Sequence, residues 1–224
     1  MKNTILTFDV NETLLNLDGL KIKFKKYFND ENLLSEWFGS VINSAFLCTI
    51  VNEQIDFSEV GKKMLISMAE KYNQNLKNDE VIEIITTMRN LDPHNDVVES
   101  LDLLKKNKFK MIALTNSNIE SAKQQLTNSK IIDYFDQVIS VEEFNALKPS
   151  SKVYLGASNI MKCSISSMRM IACHAWDLIG ASKSGMKVAY VQRTGQYWNP
   201  IFSKPEIFEN NLIDLAKKII ERDS

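Results

Sequence analysis

The second half of the chain alternates regularly between strand-like and helix-like segments, and this pattern most constrains the fold. From residue 94 onwards, short apolar runs are separated by segments with apolar residues at three- and four-residue spacing. The strand-like runs read KMIALTN, QVISV, MRMIACHA and KVAYVQ. Such alternation is typical of a parallel sheet whose two faces are covered by helices. We therefore predict an α/β fold.

The first strand of this sheet is separated from the others by a long helical block. Residues 4 to 10, TILTFDV, have the apolar character of a buried strand, whereas residues 17 to 90 show helical periodicity throughout. Asp56 and Asn78 occupy positions where helix N-caps are expected.

We therefore predict two domains. A Rossmann-like catalytic core comprises residues 1–15 and 94–224, and an all-helical cap inserted after the first strand comprises residues 16–93. An insert at this point lies over the carboxyl ends of the strands, where open α/β sheets bind ligands.

Composition limits the classes of function. The 224 residues carry a formal net charge of −1, so the sequence predicts neither a nucleic-acid nor a membrane partner. We see no apolar run near the ~18 residues that a membrane helix needs, and no signal-peptide pattern. The three cysteines are not spaced for zinc or a disulfide framework. These features lead us to expect a cytoplasmic protein.

Polar side chains stand where the predicted strands end. They are Asp9, Asn11 and Thr13 after the first strand, Thr115 and Asn116 after the second, Lys148 at the start of the helix after the third, and His174 and Asp177 after the fourth. Because the carboxyl ends of parallel strands lie side by side, we expect these groups to converge on one pocket.

This set of motifs resembles the haloacid dehalogenase superfamily, and in particular the type II (S)-2-haloacid dehalogenases. The stretches that carry the resemblance are FDVNETL, LTNS, LKPSSKVY and HAWDLIGA, in that order along the whole chain. In that family a tyrosine follows the lysine by six residues and an aspartate follows it by 29, and Tyr154 and Asp177 match both spacings.

The resemblance implies hydrolysis of short 2-haloacids to 2-hydroxyacids through an aspartyl ester. Asp9 would attack the carbon that bears the halogen, and Lys148 would keep Asp9 ionised. Asp177 would orient the water that hydrolyses the ester, assisted by Asn116 or His174. Thr13 and Thr115 would hydrogen-bond the nucleophile or the substrate carboxylate, and Tyr154 completes the catalytic set. The backbone N–H groups of Val10 and Asn11 form a natural anion nest.

Asn11 and Cys173 argue against phosphoryl transfer. Phosphatases of the superfamily have a second aspartate two residues after the nucleophile, where this chain has Asn11, and a further acid where it has Cys173. Asn11 cannot serve as a proton donor in the way a carboxylic acid does, and Mg²⁺ requires several oxygen ligands. Halide leaves without a proton. We therefore expect no metal and no cofactor.

The chain also departs from the type II pattern. The arginine expected on the first long cap helix to receive the halide is replaced at Gly39, and Ala172 and His174 stand in place of a serine–asparagine pair. We expect a halide pocket built from Asn116, Trp37, Phe57 and Trp176, with His174 sharing in anion binding.

Two other functions remain open at this point. One is a Mg²⁺-dependent small-molecule phosphatase of the same superfamily, and the other is a catalytically idle binding protein. The apolar cap helices could also support a homodimer.

Overall fold

The computed structural model describes residues 4–223, and within them a parallel sheet of six strands forms the centre of the molecule. The strands are β1 (Ile5–Phe8), β2 (Lys110–Thr115), β3 (Gln137–Ser140), β4 (Met168–Ala172), β5 (Lys187–Val191) and β6 (Ile207–Glu209). They lie side by side in the order β3-β2-β1-β4-β5-β6. This topology confirms the predicted α/β fold; residues 1–3 and 224 of the predicted core lie outside the described residues.

Strand β1 lies in the middle of the sheet, and this position determines where the site forms. Phe8 pairs with Ala113 of β2 on one side and with Ile171 of β4 on the other. All residues of β1 and β4 are buried, which explains their nearly continuous apolar sequences. Asp9, the next residue, therefore lies between the carboxyl ends of two neighbouring strands.

Four α-helices follow β1 and form the cap: α1 (Lys21–Phe28), α2 (Leu33–Val51), α3 (Phe57–Lys71) and α4 (Asn78–Thr87). Asp56 caps α3 as predicted, because its side chain accepts hydrogen bonds from the backbone N–H groups of Ser58 and Glu59. The prediction for Asn78 is wrong by one position, since Lys77 is the N-cap and Asn78 is the first helical residue.

Helix α2 corrects the expectation about long apolar runs. Among the described residues, it is long and apolar enough to cross a membrane by length and composition, with 19 residues and a mean hydropathy of 1.3. This is weak evidence for a membrane span, because a core helix of a globular protein passes the same test. In the structure, Leu34, Trp37, Phe38 and Val41 of α2 are buried within the hydrophobic core.

The two connections between cap and core run next to each other. Asn16 donates its backbone N–H to the carbonyl of Asp92 at 2.8 Å, and His94 donates to the carbonyl of Leu14 at 2.9 Å. The cap therefore begins and ends at one point above the sheet. The exact limits of 16 and 93 stay a prediction.

The remaining α-helices cover the sheet: α5 (Val97–Lys106), α6 (Ile119–Asn128), α7 (Ser151–Ile160), α8 (Ala175–Lys183) and α9 (Leu212–Asp223). Lys148 does not open α7, as the sequence suggested, but lies three residues before it. Asp177 likewise lies within the first turn of α8 rather than at the end of β4.

Strand β6 and helix α9 were not predicted from the sequence. A buried ion pair connects α9 to the sheet: Arg169 of β4 is 1% exposed and donates to both carboxylate oxygens of Asp223, at 2.6 and 3.0 Å. Two parallel hydrogen bonds of this kind are the strongest geometry for a guanidinium and a carboxylate.

Candidate active site

Asp9 is held at the end of β1 by three side chains from different segments. Lys148 Nζ lies 3.1 Å from Oδ1 of Asp9. The other oxygen, Oδ2, accepts a hydrogen bond from the Thr13 hydroxyl at 2.7 Å and lies 3.0 Å from Nδ1 of His174. Only 9% of the Asp9 side chain is exposed. Its two oxygens therefore have different partners: Oδ1 contacts Lys148, whereas Oδ2 contacts Thr13 and His174. The two oxygens can therefore take different roles in a reaction.

Lys148 connects Asp9 to a second carboxylate. Its Nζ lies 2.7 Å from Oδ2 of Asp177, and its side chain is buried together with that of Asp177. The backbone N–H of Lys148 donates to Oδ1 of Asn116 at 2.9 Å. Asn116 therefore fixes the loop that carries the lysine.

Tyr154 and Gly180 keep Asp177 in place. The Tyr154 hydroxyl donates to Oδ1 of Asp177 at 2.7 Å and contacts its backbone carbonyl at 3.0 Å. A Cβ atom at Gly180 would lie 2.6 Å from the Cβ of Pro149 and 2.9 Å from the Tyr154 hydroxyl. Glycine is thus required for α8 to approach the lysine loop.

The two carboxylates differ in protonation tendency. Burial raises the pKa of Asp9, but Lys148 and His174 outweigh it and bring that pKa far below its usual range. Burial and the charge of Asp9 raise the pKa of Asp177, although Lys148 opposes this effect. Burial lowers the pKa of Lys148, but the two carboxylates raise it overall. Carboxylates whose pKa values are moved apart can divide nucleophile and proton-acceptor roles between them.

The turn after β1 is tight and internally bonded. The carbonyl of buried Val10 accepts from the N–H groups of Leu14 and Leu15, at 2.9 and 3.0 Å. Thr13 accepts from the backbone N–H of Cys173 at 3.0 Å while it donates to Asp9. This pair of bonds links the turn to the end of β4.

Thr115 is placed differently from Thr13. Its hydroxyl accepts a hydrogen bond from the backbone N–H of Ser117 at 3.1 Å, so it stabilises the turn after β2.

Asn11 is committed to the contact between the turn and α6. Its Oδ1 accepts from the amide of Gln125 at 3.0 Å, and its amide nitrogen lies 3.3 Å from the Ser117 hydroxyl. A Mg²⁺ ligand at this position would need a free oxygen directed toward Asp9. Cys173 supplies only a buried thiol, whose pKa is raised by burial. Among residues 4–223, no group of three or more His, Cys, Asp or Glu side chains is arranged to hold a metal. The residues therefore do not fit a phosphatase-type metal site.

His174 lies between two carboxylates and two aromatic rings. Its Nε2 lies 2.7 Å from Oε2 of Glu12, opposite the contact with Asp9. Its ring stacks on Trp176 with centroids 5.2 Å apart, and the ring of Phe38 lies 6.2 Å away. The structure thus brings His174 and Trp176 together with Asp9, as expected.

Asp9, Glu12, His174 and Trp176 form one cluster, and Phe38, not Gly39, is the cap residue that faces it. Gly39 is exposed, and a Cβ built on it meets nothing within 4 Å. A side chain at that position would begin on the exposed face of α2, and the correspondence of the missing arginine with Gly39 stays a prediction. The buried face of α2 presents an aromatic ring to His174 instead.

Trp37 and Phe57 lie in the cap beside the site. The indole N–H of Trp37 donates to the carbonyl of Gly61 at 3.0 Å, so that donor is used within the cap. Phe57 begins α3 and borders a cavity of about 700 Å³ between the cap and the core. Asn116 lines the same cavity but Asp9 does not, so the cavity reaches the cluster from the Asn116 side.

Sequence reasoning missed Glu12 and Phe38 as parts of the cluster. Glu12 reads as a turn residue, and its φ of 59° shows that it is one. The signal that could have found Phe38 is the helical spacing of Trp37, Phe38, Val41 and Ala45, which marks the buried face of α2.

The chain is similar to known proteins over most of its length. Residues 6–191 match the family model for haloacid dehalogenase-like hydrolases. The (S)-2-haloacid dehalogenase 2 of Pseudomonas sp. (strain CBS-3) is 22% identical over 212 residues, which cover 94% of this chain and 93% of that protein.

Solved structures show the same fold. The L-2-haloacid dehalogenase from Xanthobacter autotrophicus superimposes with a TM-score of 0.92 at 17% identity, over 100% of both chains. The structure of that enzyme with covalently bound chloropropionic acid gives a TM-score of 0.91, also at 17% identity and over 100% of both chains.

Proposed function

The chain belongs to the haloacid dehalogenase-like hydrolases, and on this premise we propose that it hydrolyses short 2-haloacids to 2-hydroxyacids without a metal. The observation that carries this proposal is the buried contact of Asp9 with Lys148, next to an Asn11 side chain that is bonded elsewhere. Asp9 is ionised. The position two residues later, where phosphatases of the superfamily carry a second acid, holds Asn11, whose side chain is hydrogen-bonded to Gln125. The relatives named as 2-haloacid dehalogenases support the substrate class.

The reaction has two steps in this site. An oxygen of Asp9 attacks C2 of the substrate, and the halide departs with the electron pair of the carbon–halogen bond. Water then attacks Cγ of the resulting ester, and Asp177 accepts a proton from it because its raised pKa favours protonation. Since only the first step touches C2, the configuration at this carbon is inverted once.

The substrate-binding roles follow from placement around the cluster. The N–H groups of Val10 and Asn11 lie in the turn beside Asp9 and are proposed to bind the substrate carboxylate. Asn116, Phe57 and Trp176 are proposed to surround the halogen, with the amide of Asn116 as donor. Trp37 would support this wall from the cap, because its own N–H is already bonded to Gly61.

The first experiment compares two substrate classes. We expect halide release from chloroacetate and L-2-chloropropionate that persists in EDTA and is absent in Asp9→Asn. Hydrolysis of an aryl phosphate with Mg²⁺ is measured in parallel. Phosphate release that depends on Mg²⁺ would contradict the proposal and favour the phosphatase. Binding of the haloacid without turnover would favour an idle binding protein.

A single-turnover reaction in H₂¹⁸O tests the covalent step directly. Attack by Asp9 predicts that the first 2-hydroxyacid carries unlabelled oxygen and that ¹⁸O enters the Asp9 carboxylate. Mass spectrometry of product and peptide distinguishes this outcome from direct attack by water, which would place ¹⁸O in the product.

Homodimer formation and a cytoplasmic location stay predictions. Leu47, Ile50 and Val51 at the end of α2 are 59%, 76% and 60% exposed, which gives an apolar surface that a second copy could cover. Sedimentation equilibrium of the wild type and of Ile50→Lys tests this prediction.

A further inference from the structure

Glu12, His174 and Asp9 form a chain of two carboxylates with an imidazole between them. Nδ1 of His174 lies 3.0 Å from Asp9, and Nε2 lies 2.7 Å from Glu12. The side chains of His174 and Glu12 are 4% and 20% exposed. Glu12 is fixed in turn, because its carboxylate accepts from the Gln196 amide at 3.1 Å and its carbonyl accepts from Nε2 of His94 at 2.9 Å.

This arrangement requires a protonated imidazole. A neutral imidazole has one N–H donor and one lone pair, and the lone pair would face a carboxylate oxygen. Burial alone lowers the pKa of His174, but its contacts with Cys173, Asp9 and Glu12 raise it well above its usual value. The uncharged rings of Trp176 and Phe38 also lie against the imidazole. The phenol of Tyr190 interacts with it as well, and burial raises the pKa of Tyr190 to about 12, so this group is uncharged.

Both N–H groups of His174 are therefore already used. While these bonds persist, His174 cannot offer an N–H to the halide, contrary to the anion-binding role expected from the sequence. Its donor is directed instead at Oδ2 of Asp9, the oxygen that also accepts from Thr13 at 2.7 Å. Lys148 contacts the other oxygen, Oδ1.

We propose that His174 is a catalytic residue that stabilises the oxyanion on Oδ2 of Asp9 during ester hydrolysis, and that Glu12 is the positioning residue that keeps His174 charged. This inference rests on the proposed function. Oδ1 attacks C2 and becomes the ester oxygen, so Oδ2 becomes the ester carbonyl oxygen. Preorganised donors at such an oxygen stabilise the transition state of acyl transfer.

Hydrolysis of the ester moves the two protons of the attacking water separately. Water adds to Cγ and gives one proton to Asp177, while the carbonyl electron pair moves onto Oδ2 between Thr13 and His174. The pair on Oδ2 then re-forms the Cγ–Oδ2 double bond as the Cγ–Oδ1 bond breaks, and the pair of the broken bond stays on the product oxygen, which takes the proton back from Asp177. The second water proton leaves the regenerated Asp9 carboxyl for solvent.

The contact of Glu12 with His174 is most important while Asp9 is esterified by the substrate. Alkylation removes the negative charge of Asp9, so His174 loses one of its two anionic partners at the moment when its charge is needed. Glu12 remains ionised and bonded to Nε2. The cation is thereby retained until water attacks.

The test is a rapid-quench experiment with L-2-chloropropionate on wild type, Glu12→Gln and His174→Ala. For both variants we expect a retained burst of halide, accumulation of the ester by intact-protein mass spectrometry, and slower turnover. For His174→Ala the rate constant of ester hydrolysis should fall by about 10²–10³-fold, as for removal of one oxyanion donor.

Turnover of Glu12→Gln should recover as the pH falls from 8 to 6, because acid restores the charge on His174. Glu99→Gln, an exposed residue on α5, is the matched control.

Two results would overturn the proposal. One is an equal loss in the halide burst and in turnover, without ester accumulation, in variants that fold. The other comes from histidine NMR of the wild type, which is simple because the chain has two histidines. We expect the His174 imidazole to remain protonated at pH 8; titration near its ordinary value would refute the role even if the variants fail to fold. Absence of halide release by the wild type would instead refute the proposed function itself.

Discussion

Replacing Lys148 by methionine should destabilise the protein because it leaves buried Asp177 without a cation and leaves Asp9 with His174 as its remaining cationic partner. The Nζ atom lies 3.1 Å from Asp9 and 2.7 Å from Asp177. At an effective dielectric constant of about 20, each contact corresponds to an attraction of about 5–6 kcal/mol, which the desolvation of the charges largely offsets. Removing one partner from a buried ion pair costs about 3–5 kcal/mol. We expect a loss of free energy of unfolding in that range.

The pH dependence of this loss has a definite sign. In the folded protein, burial and the charge of Asp9 already raise the pKa of Asp177, and loss of Lys148 raises it further. A carboxyl that binds its proton more tightly when folded makes the protein more stable as the pH falls. Lys148→Met should therefore regain stability between pH 8 and pH 5.

Urea denaturation across this pH range is the assay, and Lys148→Met/Asp177→Asn is the matched control. The double variant removes the excess carboxylate and should recover part of the lost stability at pH 8. It should still fail to turn over, because it lacks the proton acceptor Asp177 and one of the two cations that lower the pKa of Asp9. A single variant as stable as wild type at pH 8, or a double variant no more stable than the single, would refute the reasoning.

Three further outcomes are expected. Asp223→Ala should lower the free energy of unfolding by about 1–3 kcal/mol in urea denaturation, since it removes the bidentate partner of buried Arg169, which keeps its ion pair with Glu206 at 2.6 Å; no measurable loss would contradict this. Gly180→Ala should cost about 1–3 kcal/mol and reduce turnover, because the added methyl group would overlap Pro149 and the Tyr154 hydroxyl; a crystal structure with both Pro149 and Tyr154 unmoved would argue otherwise. The rate of ester formation, measured as the halide burst, should not decrease from pH 7 to pH 5, because the pKa of Asp9 lies far below this range and the carboxylate stays ionised; an acid limb near pH 5 would show that Asp9 is not held in this way.

Much of the fold could be predicted because its signals are local. Strands β1, β2 and β4 are buried on both faces, so their sequences are nearly continuously apolar, and the intervening helices show their own period. Strand β6 has three residues and lies at the edge of the sheet, where the pattern is too short to be distinguished from a loop.

The sequence by itself determined which residues follow the central strands, and therefore that Asp9, Lys148 and Asp177 converge. Parallel strands carry their carboxyl ends to one edge whatever the details of packing. Only the tertiary structure decided how the neighbouring side chains are directed. Glu12 reaches His174 because its backbone adopts a φ of 59° in the turn, and Phe38 rather than Gly39 faces the site because of the rotation of α2 about its axis. Both orientations depend on contacts between segments far apart in the chain, which no local sequence pattern records.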